Sequence, residues 1–186
     1  MSQDVVDLIM QDHREVERLF EELKDPEKRA GLVPVLTTLL TAHSRAEEAE
    51  VYPVARDEAG IADDVAHSQA EHVEAEQLLA ELAGIDPQSP RFAAALQPVV
   101  DAVTHHVEEE ESTVLPGMRQ GLSERRLAEL GEAFLAARAE HLGETPQDIR
   151  KSELRQQAAN LGLSGSASAS KEQLQAAVQA ESGKQE

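Results

Sequence analysis

Apolar positions along the chain recur at helical intervals, and in four segments the recurrence runs into histidine and glutamate. Between about Val5 and Leu23, Ile9, Val16 and Phe20 share one stripe with His13, and Asp25-Pro26 ends the segment. A second segment, from Leu32 or Pro34 to about Ala55, places Leu36, Leu40, His43 and Glu47 on one face. A third, about Ile61 to Ala83, carries Val65, His72 and Leu79 at heptad spacing and closes at Gly84 and Asp86-Pro87. The fourth, about Pro90 to Val114, has the longest stripe, namely Phe92, Leu96, Val99, Val103, His106 and Glu110, with a kink expected at Pro98. A fifth helix is predicted from Ser123, as N-cap, to about Ala139, burying Leu127, Leu130 and Phe134 across the end of the others. The connections are short, which favours antiparallel neighbours. The predicted fold is therefore all-α, an up-down-up-down four-helix bundle with an additional helix.

Composition agrees with this reading. The 186 residues are 40% hydrophobic but only 2% aromatic, so the core must be built from Leu, Val and Ala, as helix-on-helix packing permits. There is no cysteine, which excludes disulfides, thiolate metal sites and thiol nucleophiles. The N-terminal residues lack a basic start and an apolar stretch, and no apolar run approaches the ~20 residues of a spanning helix. A soluble cytoplasmic protein without membrane contact is expected. The formal net charge of −19 repels nucleic acid and anionic membranes from most of the molecule. Residues 148–186 hold five acidic and five basic side chains, so the whole excess lies in residues 1–147.

Each of the four long helices turns one histidine inward. Two add a glutamate one turn on, because residues four apart differ by only ~40° around the axis. His43, Glu47 and Pro53 recur 63 residues later as His106, Glu110 and Pro116. A buried, ionised carboxylate costs several kcal/mol unless paired or bound to a cation. No lysine or arginine is predicted on an inward position, so a metal site is favoured over a metal-free polar core or a purely structural bundle. Imidazole mixed with carboxylate suits iron, manganese or zinc, and two bridging carboxylates imply two ions. With an oxo or hydroxo bridge, two coordination positions remain open.

His13, the His43/Glu47 pair, the Glu71-His72 dipeptide and the His106/Glu110 pair, in that order, resemble the hemerythrin-like, or HHE cation-binding, family. The resemblance covers about residues 4–142. It implies a four-helix bundle holding two non-haem iron ions (Fe2+/Fe3+), with His13, His43, Glu47, His72, His106 and Glu110 as ligands. Oxygen-carrying hemerythrins use a fifth histidine, and none is found on an inward stripe here. His67 and His105 lie about 140° and 100° from the ligand histidines on their helices and are expected at the surface. The pattern is thus closer to bacterial and actinobacterial relatives. For these, peroxide decomposition, iron oxidation, nitric oxide reactions and oxygen or iron sensing have been proposed.

Tyr52, the only tyrosine, lies about 140° from Glu47 on an ideal helix, which favours a packing role at the bundle's end over that of an extra ligand or redox gate. Glu48, Glu108, Glu109 and Glu111 read as solvated faces, with Glu48 or Glu109 as the candidate acceptors for a ligand imidazole N–H.

A linker at 143–147 leads to a second unit, 148–186, read as helix, glycine-serine loop and helix, with Ser170 and Gln173 forming a capping box and the far end partly disordered. It resembles the small helical module at the N-terminus of transcription terminator Rho and its SAP-like relatives, which bind nucleic acid. It departs from them in its zero net charge and at Ser166, where a basic residue is usual. A protein-contact hairpin or tether is the favoured alternative. Two function classes follow. One is a di-iron oxidoreductase, catalase-like or ferroxidase-like, acting on dioxygen, peroxide or nitric oxide in oxidative stress. The other is an oxygen, nitric oxide or iron sensor or store signalling through the tail.

Overall fold

The computed structural model describes residues 3–165 and 168–184, so the reading at Ser166 lies outside the described residues. Helix α1 (Val5–Glu22) starts where the Asp4 carboxylate accepts the Asp7 N–H at 3.0 Å. It is followed by α2 (Arg29–Ala46), a π-helical turn (Glu47–Val51), α3 (Tyr52–Asp57), α4 (Ala62–Ala83) and α5 (Phe92–Ser112). Then come α6 (Val114–Gly121), α7 (Glu124–Glu140), a 3-10 turn (Pro146–Asp148), α8 (Lys151–Asn160) and α9 (Lys171–Ser182). Among the described residues there is no strand, and no helix is long and apolar enough to cross a membrane.

Two apolar clusters show how the helices run. One holds Val5 and Ile9 of α1, Ala46 of α2 and Val65 of α4, with Val114 and Met118 of α6. The other holds Val16 and Phe20, Leu36 and Leu40, Leu79 and Leu82, and Phe92 to Val107. Thus α1 and α4 run from the first cluster to the second, and α2 and α5 run back, as the predicted up-down-up-down bundle requires. The histidines and glutamates occupy the layer between the clusters.

Helix α7 begins at Ser123, whose hydroxyl accepts the Arg126 N–H. It buries Leu127, Leu130 and Phe134 in the first cluster. A Cβ on Gly131 would lie 2.7 Å from the Gln3 carbonyl oxygen, so glycine is what lets α7 approach the start of α1 this closely.

Two boundaries differ from expectation. The second predicted helix does not continue unbroken to Ala55. At Glu47 it passes into the π turn, whose last hydrogen bond runs from the Tyr52 N–H to the Glu47 carbonyl. Pro53 follows immediately and has no N–H with which to continue the α register. At the matching point in the repeat, α5 stops at Ser112 and Thr113 (φ −121°, ψ −70°) breaks the chain direction before α6, a helix the hydrophobic pattern did not reveal. The two halves share their ligand spacing and handle their prolines differently.

The tail is packed on the bundle. Ala158 of α8, Leu161 just past its end and Val178 of α9 cover Ala70 and Val73 of α4. Ser170 caps α9, accepting the Gln173 N–H while the Gln173 side chain accepts the Ser170 N–H.

Candidate metal centre

The stripes of α1, α2, α4 and α5 bring His13, His43, Glu47, His72, His106 and Glu110 into one layer, each at most 6% exposed. The imidazoles form two pairs, with ring centroids 5.2 Å apart for His13 and His43 and 4.5 Å apart for His72 and His106. Both glutamates span the pairs. Glu47 Oε2 lies 3.1 Å from His43 Nε2 and 3.3 Å from His72 Nε2. Glu110 Oε2 lies 3.3 Å from His13 Nε2 and 3.9 Å from His106 Nε2.

Every one of these imidazoles turns Nε2 inward because Nδ1 is held by a carboxylate behind it. His13 Nδ1 lies 2.9 Å from Glu111, His43 Nδ1 3.2 Å from Asp12, His72 Nδ1 3.4 Å from Glu48 and His106 Nδ1 2.9 Å from Glu71. The four acids each adjoin a residue of the inner cluster in sequence, yet each serves the neighbouring helix. Asp12, beside His13 on α1, holds α2's histidine; Glu48, beside Glu47, holds α4's. Glu71, beside His72, holds α5's; Glu111, beside Glu110, holds α1's. A step of about 100° round a helix turns the adjacent side chain toward the next helix, which closes the ring. Glu111 and Glu48 are thus not solvated faces, and among the expected acceptors it is Glu48 that serves; no Glu109 side-chain contact to an imidazole accompanies it. Asp12 and Glu71 were missed, although each stands immediately beside an inward histidine in the sequence, His13 and His72.

Cations neutralise three of these acids from outside. Arg138 of α7 lies 2.8 Å from Asp12, Arg14 pairs with Glu111, and Arg45 lies 3.1 Å from Glu48. Arg45, 2% exposed, corrects the expectation that no arginine is turned inward. It lies in the polar layer beneath the tail, bonded to Glu48 and to Glu76 at 2.5 Å, and so leaves the inner glutamates without an arginine partner.

The family model for the hemerythrin HHE cation binding domain matches residues 4–117. The chain belongs to this family. It is also 33% identical over 139 residues to a protein named DNA nickase from Nostoc sp. (strain PCC 7120 / SAG 25.82 / UTEX 2576), an alignment covering 73% of this chain and 39% of that protein. The chain therefore spans about two-fifths of that relative's length. No solved structure gives a significant match. The HHE model ends within α6, so α7 and the tail lie outside the matched region.

The HHE cluster has the electrostatics of a cation site. Burial would lower the basicity of His43, but Glu47 and Asp12 outweigh it and raise its pKa to about 10. His72 is likewise lowered by burial and raised, to about 10, by Glu47 and Glu48. Burial and the charge of His72 push His106 down. Burial opposes ionisation of Glu47, and His43 and His72 prevail, holding it well below the usual carboxylate range. His13 Nε2, His43 Nε2, both Glu47 oxygens and Glu110 Oε2 are buried without a hydrogen-bond partner. Such an arrangement costs several kcal/mol unless a cation shares these atoms, and the donor set fits the metal cations of the family. Two clusters with metal-ligand spacing, His13/His43/Glu47 and Glu47/His72/His106, share Glu47.

Tyr52 is fully buried and does not merely pack at the bundle's end. Its hydroxyl lies 3.1 Å from His72 Nε2 and donates to Glu110 Oε1 at 3.3 Å. The 140° offset holds for an ideal α-helix; the π turn adds a residue to the loop of the helix and brings Tyr52 back to the face of Glu47. Burial first, then Glu110 and Glu47, raise the phenol well above its ordinary pKa. On the other side of the layer, Val16, Leu40, Ala75, Val103 and Val107 line a cavity of about 20 Å³ bounded by all four imidazoles.

The tail reaches this site through α8. Gln157 Nε2 donates to both Glu48 oxygens at 3.2 Å. Asn160 Nδ2 donates to the Glu48 carbonyl at 3.0 Å and to Gln69 Oε1 at 2.9 Å. Gln69 in turn donates to Glu48 Oε1 at 2.8 Å. Two tail side chains therefore fix the acid that holds His72, contacts no periodicity argument could supply.

Proposed function

We propose that the bundle is a non-haem di-iron centre that binds or reacts with a small oxygen- or nitrogen-containing ligand: dioxygen, peroxide or nitric oxide. The observation that carries this reading is the six-residue buried donor set against an apolar cavity of about 20 Å³, room for roughly one water-sized molecule. His13, His43, His72 and His106 would hold two ions through Nε2, with Glu47 and Glu110 bridging. Iron bound there supplies a ferrous/ferric couple and Lewis acidity. The chain's own residues do the rest. The four outer acids fix the tautomer and aim of each imidazole. Val16, Leu40, Val103 and Val107 exclude bulk water, and Tyr52 holds a proton on its hydroxyl, between His72 and Glu110, within reach of the layer.

Iron stoichiometry by elemental analysis, with oxygen release on addition of hydrogen peroxide, tests the reading. Two irons per chain with turnover support the oxidoreductase; a chain isolated from iron-replete cells without metal, and taking up none, would overturn it. A second reading, sensing through the tail, is supported by the Gln157–Glu48–His72 connection. It requires the protease sensitivity of residues 148–184 to change with the oxidation state of the centre. The DNA-nicking activity in the Nostoc protein's name belongs to a chain of which 39% is matched, and a supercoiled-plasmid assay run alongside tests for it here.

A further inference from the structure

Three of the four outer acids are neutralised by an arginine, and Glu71 is the exception. Its Oε2 holds His106 Nδ1 at 2.9 Å, while Oε1 faces outward between two imidazoles, 3.5 Å from His67 Nε2 and 3.4 Å from His105 Nε2. Those separations are too long for good hydrogen bonds, and Oε1 is a buried atom with no hydrogen-bond partner, on a residue 8% exposed. They match the edge of a coordination tetrahedron: ligands ~2.0–2.1 Å from a Zn2+ stand about 3.3 Å apart. All three donor atoms lie within 4.8 Å of one another. His67 and Glu71 repeat the four-residue step of His43/Glu47 and His106/Glu110 one turn along α4, and His105 arrives from α5.

We propose that His67, Glu71 and His105 form a separate, solvent-facing site for a divalent transition-metal ion, such as Zn2+, Co2+ or Fe2+. Where the other outer acids meet a guanidinium, Glu71 meets two imidazoles with their Nε2 atoms converging on its free oxygen. With His67 39% and His105 61% exposed in their side chains, the remaining coordination positions are open to water, so the ion is exchangeable. Because Glu71 serves both His106 and the outer ion, the site adjoins the buried layer through a single carboxylate. Among the described residues, the remaining cluster outside the buried layer, His141, Glu144 and Glu153, differs in that the Arg150 guanidinium already lies against all three.

The test uses the full chain as isolated, titrated with Co2+ and followed by calorimetry and by the visible absorption of the bound ion. The expected result is one Co2+ beyond the metal already present, with affinity falling at least tenfold in His105→Ala and in His67→Ala. Because His105 is exposed and His67 half-exposed, neither packed in the apolar core, the variants are expected to keep the fold, which helical circular dichroism checks. Retention of that extra site in Glu110→Ala would separate it from the buried centre, whose failure to load would leave this result standing. No additional Co2+ up to millimolar concentration, or unchanged binding in both histidine variants, would overturn the proposal and leave the cluster as ordinary histidine–carboxylate pairs.

Discussion

Replacing Gln157 by Ala removes the amide that ties the tail to Glu48. Gln157 is 1% exposed and donates to an ionised carboxylate buried with Arg45 and His72. A hydrogen bond to a charged group is worth about 1.5–3 kcal/mol, and truncating the side chain adds a smaller packing loss. The expected destabilisation is about 2–4 kcal/mol, or about 1–2 M in the midpoint of a urea titration with a slope of about 2 kcal/mol/M. The decisive assay is a double-mutant cycle at fixed metal content. In a Glu48→Gln background the amide no longer meets a charge, so Gln157→Ala should cost at least ~1 kcal/mol less than in the parent. Equal losses in both backgrounds, within the ~0.5 kcal/mol of ordinary additivity, would refute the claim that the tail acts on the centre through Glu48.

Glu47→Ala or Glu110→Ala should empty or halve the iron content, measured by elemental analysis, and full occupancy without Glu110 would defeat the bridging assignment. Truncation after Thr145 should leave a bundle that still takes up iron but more weakly, read by competition with a chelator; unchanged affinity would make the tail a passenger. Burial, opposed by Arg45 and reinforced by Glu48, raises Glu76 from 4.5 to about 7. The folded state then binds more protons than the unfolded one between those values, so this contribution is complete below pH 4.5 and is lost as pH rises through 7. Relative to Glu76→Gln, the native chain should lose up to roughly 3 kcal/mol across that interval, and parallel pH profiles of the two would remove Glu76 as the cause.

The sequence disclosed the helices and inward donors because both follow from one periodicity: Phe92, Leu96, Val99, Val103, His106 and Glu110 are a single line on a single helix. What it hid depends on relations between helices. Asp12 looks like an exposed neighbour of His13, and only the position of α2 reveals that it serves His43. Arg45 reads as surface until α8 covers it. Tyr52 was misplaced for a different reason: its angle was counted on an α-helix, and the five-residue π turn before it changes the count.

That tyrosine also gives the molecule an optical property. The chain has one tyrosine and no tryptophan, so ultraviolet emission excited beyond the phenylalanine absorption comes from one phenol, 3.1 Å from His72. Changes at the centre can be followed as intensity changes from an intrinsic fluorophore, without a label, with the solvent-facing helices and the tail contributing no background of their own.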